Sequence, residues 1–253
     1  MVSDATGVCL GSSASSSASV GAERRRRSCA PLPRGMRSAA GSAGAAAGAE
    51  PSAPRTPRVL LAATGSVAAV KVPLLAAELL RRGAEVRVCA TQRALAFFDA
   101  ASVRASGVEV LTDEDEWGPW KRVGDPVLHI ELRRWADVLV VAPLSANSLA
   151  KCANGLADNL VTCVFRAWDF AAQPVLVAPA MNTFMWESPF TSKQLGVLEE
   201  LGVLAVPTVV KALACGDVGD GAMAEYQTIA DAVQAVTARL KGCSPLMRRR
   251  DGD

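Results

Sequence analysis

The chain has 253 residues, of which 50% are hydrophobic and 21% are charged, and its formal net charge at neutral pH is +2. Residues 58 to 241 carry no clustered basic charge, which argues against a nucleic-acid-binding surface. Their apolar runs are of strand length and far shorter than the roughly 20 residues of a membrane-spanning helix, so we expect a soluble protein with no membrane partner.

The N-terminal segment differs in composition from the rest. Residues 1 to 57 are mainly Ala, Ser, Gly, Pro and Arg, and we predict that they are disordered because they cannot bury enough apolar surface to offset chain entropy. An Arg-bearing, acid-poor start resembles an organelle transit peptide, but an unstructured extension or a rarely used upstream start codon would look the same. We expect one folded domain over residues 58 to 241, a disordered tail over residues 242 to 253, and a cytoplasmic protein unless the transit peptide is real.

The seven cysteines are odd in number, scattered, and without a Cys-x-x-Cys pair. This pattern argues against both a disulfide framework and a zinc site. We therefore expect a reducing compartment and predict no metal site.

From residue 58 onward, short aliphatic runs alternate with longer segments of helical period. This order is typical of a parallel sheet covered on both faces, so we predict a doubly wound α/β fold of the flavodoxin or Rossmann type. The predicted strands are residues 59–63, 85–90, 108–111 (the weakest), 137–142, 173–178 and 203–206. The predicted helices are residues 67–82, 145–154, 158–168, 191–201 and 228–240. Ligands bind beyond the carboxyl ends of such strands, so the residues there are the candidates for function.

Hydroxyl and amide side chains follow three of these strands. Gly65 and Ser66 follow the first strand, Thr91 follows the second, and residues 145–148 follow the strand at 137–142. A hydroxyl beside the unpaired N–H groups of a helix start suits a phosphate, and three such ends on one sheet edge suit FMN, which has a phosphate and a polar ring. A serine N-cap alone would give the same local pattern. Neither a Gly-x-Gly-x-x-Gly fingerprint nor the lysine of a P-loop is present.

His129 is the only histidine in the chain. Histidine changes its charge near neutral pH, which makes His129 the natural general base, although a lone histidine flanked by apolar residues is often a packed structural residue.

A cysteine and an amide lie on two further segments. Cys215 lies among Gly216, Gly219 and Gly221, which we expect to form a flexible loop that closes over a substrate, unless the cysteine is merely a turn residue. The neighbouring Asp217 would keep this thiol protonated and able to act as an acid. Asn182 ends the motif Pro179-Ala180-Met181-Asn182, where its amide suits a substrate carboxylate or amide, or is itself a turn residue.

These motifs resemble those of the homo-oligomeric flavin-containing cysteine decarboxylases, and the plant-type phosphopantothenoylcysteine decarboxylases look nearest. The resemblance covers about residues 58 to 241. Its carriers are Thr64-Gly65-Ser66-Val67-Ala68, Leu128-His129-Ile130, Ala142-Pro143-Leu144-Ser145-Ala146-Asn147, Pro179-Ala180-Met181-Asn182 with Met185-Trp186, and Ala214-Cys215-Gly216-Asp217 with Gly221-Ala222-Met223-Ala224-Glu225.

The resemblance implies FMN-dependent decarboxylation of 4′-phosphopantothenoyl-L-cysteine to 4′-phosphopantetheine, a step of coenzyme A biosynthesis, by way of a thioaldehyde and an enethiolate. It implies a homotrimer with each flavin at a subunit interface. His129 would be the base, Cys215 would return a proton, and Asn182 would hold the substrate. Further substrate contacts would come from Met181, Ala214 and Gly216. FMN would be bound by Gly65, Ser66, Val67, Thr91, Ser145, Ala146, Asn147, Ser148 and the backbone near Ala180.

Two other functions belong to related proteins. Some relatives with altered motifs bind flavin without completing the reaction, or regulate a protein phosphatase, and the intact His129, Asn182 and Cys215 argue against such a role as the only one. A peptidyl-cysteine decarboxylase that stops at the enethiol is disfavoured because it would not require the proton donor Cys215.

Overall fold

The structure, a computed structural model, describes residues 55 to 212 and residues 218 to 242 of the chain. Within these ranges six parallel strands form one sheet, and two antiparallel strands form a separate hairpin. The strands are β1 (Arg58–Ala63), β2 (Glu85–Ala90), β3 (Glu109–Leu111), β4 (Val138–Leu144), β5 (Val175–Pro179), β6 (Leu204–Ala205), β7 (Val209–Ala212) and β8 (Val218–Ala222). The α-helices are α1 (Val72–Arg81), α2 (Ala100–Ala105), α3 (Asp113–Trp117), α4 (Leu128–Trp135), α5 (Ala146–Asn154), α6 (Leu160–Arg166), α7 (Thr183–Trp186), α8 (Pro189–Glu200) and α9 (Tyr226–Gly242).

The strand order of the sheet is β3-β2-β1-β4-β5-β6. The chain runs outward from β1 through β2 to β3 and then returns to the other side of β1 as β4, with Val59 opposite Val138 and Ala62 opposite Val141. The direction of winding therefore reverses between β1 and β4. In open parallel sheets the crevice at such a reversal is where ligands bind.

Side chains alternate along the strands and divide the core into two layers. Leu61 and Val140 contribute to one layer, whereas Leu60 and Leu139 contribute to the other, and all four are fully buried. The first layer includes buried residues of α1 and α9, and the second includes residues of α4, α5, α6 and α8. The predicted doubly wound fold is thereby confirmed, because an apolar layer covers each face of the sheet.

The predicted elements differ from the structure mainly at their ends. The predicted helix over residues 67–82 is a 3₁₀ turn, Val67–Lys71, followed by α1. Pro73 lies in the first turn of α1, where a missing N–H is tolerated, but it cannot donate to an upstream carbonyl and so the α-helical bonding does not extend further back. We did not predict α2, α3, α4, α7 or the hairpin, which are short or rich in glycine.

The predicted N-terminal extension lies outside the described residues except for residues 55–57, and the predicted tail except for residue 242. Among the helices of the described ranges, none has the length and apolar character needed to cross a membrane.

Candidate active site at the sheet reversal

Thr64 connects the two strands between which the winding reverses. This fully buried residue follows β1, and its hydroxyl donates to Pro143 O at 2.8 Å while accepting from Ser145 N at 2.8 Å. Its own N–H donates to Pro143 O at 3.2 Å. The ends of β1 and β4 are therefore held side by side, which brings the segments beginning at Gly65 and Ser145 to one edge.

The segment after β1 provides a tight turn and a helix start. Ser66 caps the 3₁₀ turn, with its hydroxyl accepting from Ala68 N at 3.4 Å. A Cβ added to Gly65 would lie 2.7 Å from the Cβ of Arg93, so only glycine fits there without movement of the neighbouring chain. Val67 is 48% exposed, which leaves this turn accessible to a ligand.

Thr91 follows β2 at the same edge, where its N–H donates to Ala63 O at 3.0 Å. Its hydroxyl is inaccessible to solvent and has no hydrogen-bond partner among the described residues. An unpaired buried hydroxyl is costly and needs an explanation. A ligand that accepts or donates a hydrogen bond at this point would supply one.

The segment after β4 begins α5. Ser145 caps this helix, and its hydroxyl accepts from Ser148 N at 3.3 Å and lies 3.2 Å from the Ser148 hydroxyl. Both serines are buried, Ala146 is half-buried and Asn147 is exposed. The four predicted residues therefore form the first turn of one helix at the reversal point, with Asn147 open to solvent.

The segment after β5 carries the predicted substrate-binding residues. Ala180 is buried and donates its N–H to Leu144 O at 3.0 Å, so it lies directly beside the end of β4. Asn182 is half-buried and caps α7, since its side-chain oxygen accepts from Phe184 N at 2.9 Å. Met181 is also half-buried, and its N–H donates to Gly221 O at 2.9 Å.

The glycines near Cys215 have a different role from the one predicted. Gly219 and Gly221 lie within β8 and pack against the segment that follows β5. A Cβ added to Gly219 would lie 2.5 Å from Thr183 Oγ1, and a Cβ added to Gly221 would lie 2.7 Å from Met181 O. They therefore permit close packing of the hairpin against that segment, and the expectation that they provide loop flexibility is wrong. Ala214, Cys215 and Gly216 lie outside the described residues, between β7 and β8, whose facing ends are Ala212 and Val218.

An ion-pair cluster joins the hairpin to the start of α1. Glu225 follows β8 and accepts from Lys71 at 2.7 Å and from Lys211 at 2.9 Å. Hydrogen bonds from the two lysines lower the pKa of the Glu225 carboxyl, and the bond from Lys71 has the larger effect. The bond to Glu225 in turn raises the pKa of Lys211. The strand preceding Cys215 is thereby attached to the segment that follows Ser66.

His129 is the second residue of α4 and is half-buried. This helix ends beside the beginning of β1, where Asp137 N donates to Arg58 O at 2.8 Å. The helix α3 that contacts His129 begins two residues after the carboxyl end of β3. His129 Nδ1 contacts Glu116 Oε1, a carboxylate of α3 whose side chain is 2% exposed. The imidazole is therefore oriented by a buried acid.

The residues at this edge fit a flavin mononucleotide on chemical grounds. Helix-start hydroxyls and the N–H groups beside them suit a phosphate dianion. The unpaired Thr91 hydroxyl provides a hydrogen-bonding group that the described residues leave unused. Ser66, Thr91, Ser145 and Ala180 would hold such a group.

The comparisons with known proteins agree with the fold. The model of the family described as "Flavoprotein" matches residues 48–238. The chain belongs to the flavoprotein family. Phosphopantothenoylcysteine decarboxylase of Oryza sativa subsp. japonica is 55% identical over 182 residues, which is 72% of this chain and 81% of the rice protein.

Two solved structures of this family are similar. A cysteine-to-serine mutant of PPC decarboxylase complexed with pantothenoylaminoethenethiol has a TM-score of 0.70 and 55% identity, over 73% of this chain and all of that one. The FMN binding protein AtHal3 has a TM-score of 0.66 and 56% identity, over 72% of this chain and 96% of that one. The predicted family resemblance is confirmed.

Three residues that the sequence did not single out shape the site. Thr64 was seen only as part of a motif, and its double hydrogen bond needs the β1–β4 pairing to be known. Arg93 carries a positive charge two residues after Thr91, which a search for basic residues at strand ends would have found. Glu116 is one of four consecutive acids, and nothing in the sequence indicates which of them meets His129.

Proposed function

We propose that this protein is an FMN-dependent decarboxylase that converts 4′-phosphopantothenoyl-L-cysteine to 4′-phosphopantetheine. The proposal is supported by the position of Ser66, Thr91, Ser145 and Asn182, which follow the carboxyl ends of the four neighbouring strands β1, β2, β4 and β5, in a chain 55% identical to a phosphopantothenoylcysteine decarboxylase. The reaction is a step in coenzyme A biosynthesis.

FMN, when bound, would accept a hydride from the CH2–SH group of the substrate and later return it, so that CO2 leaves from a thioaldehyde and the reaction has no net redox change. The residues of this chain have separate tasks. His129 takes a proton from the substrate during its oxidation, and the buried Glu116 keeps the imidazole oriented. Asn182 holds the substrate carboxylate or amide, beside Met181. Cys215 returns the final proton to the enethiolate carbon.

A cysteine is suited to this last task because a thiol is a stronger acid than a hydroxyl. The similar solved structure that is complexed with pantothenoylaminoethenethiol, an enethiol, is a cysteine-to-serine mutant. That observation supports the assignment of Cys215, which rests on the matching Ala-Cys-Gly-Asp motif.

We further propose a homotrimer in which a neighbouring subunit completes each active site. Large apolar side chains beside the site face solvent in the single chain: Phe184 is 78% exposed, Phe190 is 73% exposed and Trp117 is 64% exposed. Large exposed apolar side chains are enriched at protein interfaces, and we propose that these three contact a neighbouring subunit. Phe184 and Phe190 lie just after Asn182, and Trp117 follows Glu116.

The domain bounds are part of the proposal. β1 begins at Arg58 and α9 ends at Gly242, in agreement with a folded domain over residues 58 to 241 flanked by the extension 1–57 and the tail 242–253. We propose that the protein works in the cytoplasm.

The product tests the proposed function. The purified chain, supplied with FMN and 4′-phosphopantothenoylcysteine, is expected to turn yellow and to release a product whose mass matches 4′-phosphopantetheine. A well-folded protein that takes up no FMN would contradict the cofactor. A yellow protein that leaves the substrate unchanged would contradict the reaction.

A further inference from the structure

We propose that Glu116 is the positioning residue of the general base: it accepts a hydrogen bond from Nδ1–H of His129 and so leaves Nε2 as the basic nitrogen. This inference rests on the proposed function, in which His129 is the base. It adds a residue that the sequence motifs did not include and that shares no motif with His129.

The geometry of the contact determines which nitrogen carries the proton. Glu116 Oε1 contacts Nδ1 of His129, and the Glu116 side chain is 2% exposed against 22% for His129. An ionised carboxylate can only accept a hydrogen bond, so Nδ1 must be the donor. In a neutral imidazole the lone pair then lies on Nε2, which is therefore the nitrogen that can take a proton.

Side-chain hydrogen bonds fix the start of α3, both within the helix and to α6. Thr112 and Asp115 form a capping box, with Thr112 N and its hydroxyl donating to Asp115 Oδ2 at 2.8 and 2.9 Å. Asp113 Oδ1 accepts from Leu160 N at 2.6 Å, which connects α3 to the start of α6. These bonds fix the position of α3 and therefore of Glu116. Residues 118–127 connect α3 to α4, the helix that carries His129.

The burial of Glu116 is costly and therefore calls for a function. Its second oxygen, Oε2, is inaccessible to solvent and has no hydrogen-bond partner among the described residues. A buried carboxylate with one unsatisfied oxygen destabilises a fold, whereas a leucine at this position would not. His129 is the group that benefits from the charge, because a carboxylate stabilises the imidazolium that forms when the base takes a proton.

Cys163 of α6 is the third group of this cluster. Its sulfur, a carboxylate oxygen of Glu116 and an imidazole nitrogen of His129 all lie within 4.8 Å of one another. Burial and the negative charge of Glu116 raise the pKa of the Cys163 thiol, so it stays neutral near pH 7. Such a set could bind a divalent cation. The contact between Glu116 and Nδ1 favours a hydrogen-bonded pair over a cation bound through Nδ1, because such a cation would need the lone pair of that nitrogen.

A single histidine makes the tautomer directly measurable. In protein labelled with [¹⁵N]histidine and purified with a histidine-free tag, only His129 contributes an imidazole signal. We expect protonated Nδ1 and unprotonated Nε2 in the wild-type protein at the pH of highest activity. The isosteric substitution Glu116→Gln should move the proton of the neutral imidazole, at least in part, from Nδ1 to Nε2. Glu114→Gln, which changes an exposed acid of the same helix, should leave it unchanged.

Kinetics provide the second measurement. Glu116→Gln should lower the rate of substrate oxidation by about 10² to 10⁴-fold with little change in KM, because binding is retained while the base is misaligned. Glu114→Gln should react at the wild-type rate. The wild-type spectrum tests the proposal even if Glu116→Gln does not fold.

Three results would overturn the proposal: a wild-type imidazole protonated at Nε2 alone, an unchanged rate in folded Glu116→Gln, or a stoichiometric metal ion that purified protein loses in Cys163→Ala. Failure of the proposed function looks different. In that case the wild-type protein would release no CO2 from phosphopantothenoylcysteine, and the His129 tautomer would still report on Glu116.

Discussion

Two buried oxygen atoms distinguish the carboxyl edge of the sheet from a set of ordinary helix N-caps. Ser66 and Ser145 satisfy local N–H groups, and each would do so in any helix of this kind. Thr91 and Glu116 are different, because each buries an oxygen that the described residues leave without a partner. Unsatisfied buried oxygens lower stability, and Gln173 before β5 also has one. In Thr91 and Glu116, which follow the carboxyl ends of β2 and β3, the unpaired oxygen lies where a ligand or a reaction can account for it.

Replacing Thr91 by valine tests this view of the site. The substitution keeps the shape and removes the unpaired hydroxyl, so the FMN-free protein should be as stable as the wild type or slightly more so. The FMN complex should lose one hydrogen bond, and its Kd should rise about tenfold. Fluorescence titration with FMN and thermal unfolding measure the two effects.

Thr237→Val is the matched control for this prediction. The Thr237 hydroxyl is buried in α9 and donates to Val233 O at 2.9 Å, so its removal should lower stability by about 1 kcal/mol without changing FMN affinity. Equal FMN affinities for wild type and Thr91→Val would show that the hydroxyl does not meet the cofactor.

At the level of secondary-structure elements, the sequence predicts the strands of the central sheet. It does not predict which side chains contact the site residues. The strands of the central sheet are continuous aliphatic runs because both faces are buried, and this pattern is local in sequence. Helix α4, which carries His129, is too short for a clear helical period, and so the sequence does not predict it. The sequence predicts a loop in place of the β7–β8 hairpin, because glycines replace the alternation of a strand in β8. The Glu116–His129 pair depends on how residues 118–127 fold back, which no local pattern encodes.

The attachment of the hairpin through Glu225 makes a prediction at this scale. Glu225→Gln removes the charge that binds Lys71 and Lys211, so amide hydrogen exchange in β7 and β8 should become faster. Because these groups are partly exposed, the loss should be below about 1 kcal/mol and smaller at high salt. The control Glu85→Gln removes an exposed pair with Arg58 at the opposite edge of the sheet and should not affect the hairpin.

The pH dependence of this attachment follows from the lowered pKa of Glu225. A carboxyl whose pKa falls on folding stabilises the folded state above its ordinary pKa, and this contribution is lost as the pH falls through the lowered value. Exchange in the hairpin should therefore be slow at neutral pH, after correction for the intrinsic rate, and should accelerate in acid. If acid accelerates amide exchange in the hairpin equally in Glu225→Gln, another titrating group is responsible.

For the whole molecule, the segments that carry Asn182 and Glu116 expose large aromatic side chains, and we therefore expect a single subunit to be incomplete. Phe190→Glu places a charge on this surface and should convert the proposed trimer to smaller species in light scattering, with loss of activity. Ala235→Glu, at an exposed position of α9, should leave the oligomer intact. An unchanged mass for Phe190→Glu would exclude this surface from the interface.

Removal of residues 1–57 should leave the activity and the melting temperature essentially unchanged, because an Ala/Ser/Gly-rich segment contributes no core. Thermal unfolding of the truncated and full-length chains measures this. A fall of several degrees in the melting temperature would show that the segment packs on the domain.

Release of labelled CO2 tests the central claim most directly. With carboxyl-labelled 4′-phosphopantothenoylcysteine and FMN, the wild-type protein should release the label and form 4′-phosphopantetheine, whereas His129→Asn should release none because substrate oxidation needs the base. Cys215→Ser should release the label but leave an enethiol product, because a hydroxyl is too weak an acid to return the proton. Release of the label by His129→Asn at the wild-type rate, or formation of normal 4′-phosphopantetheine by Cys215→Ser at that rate, would contradict the account.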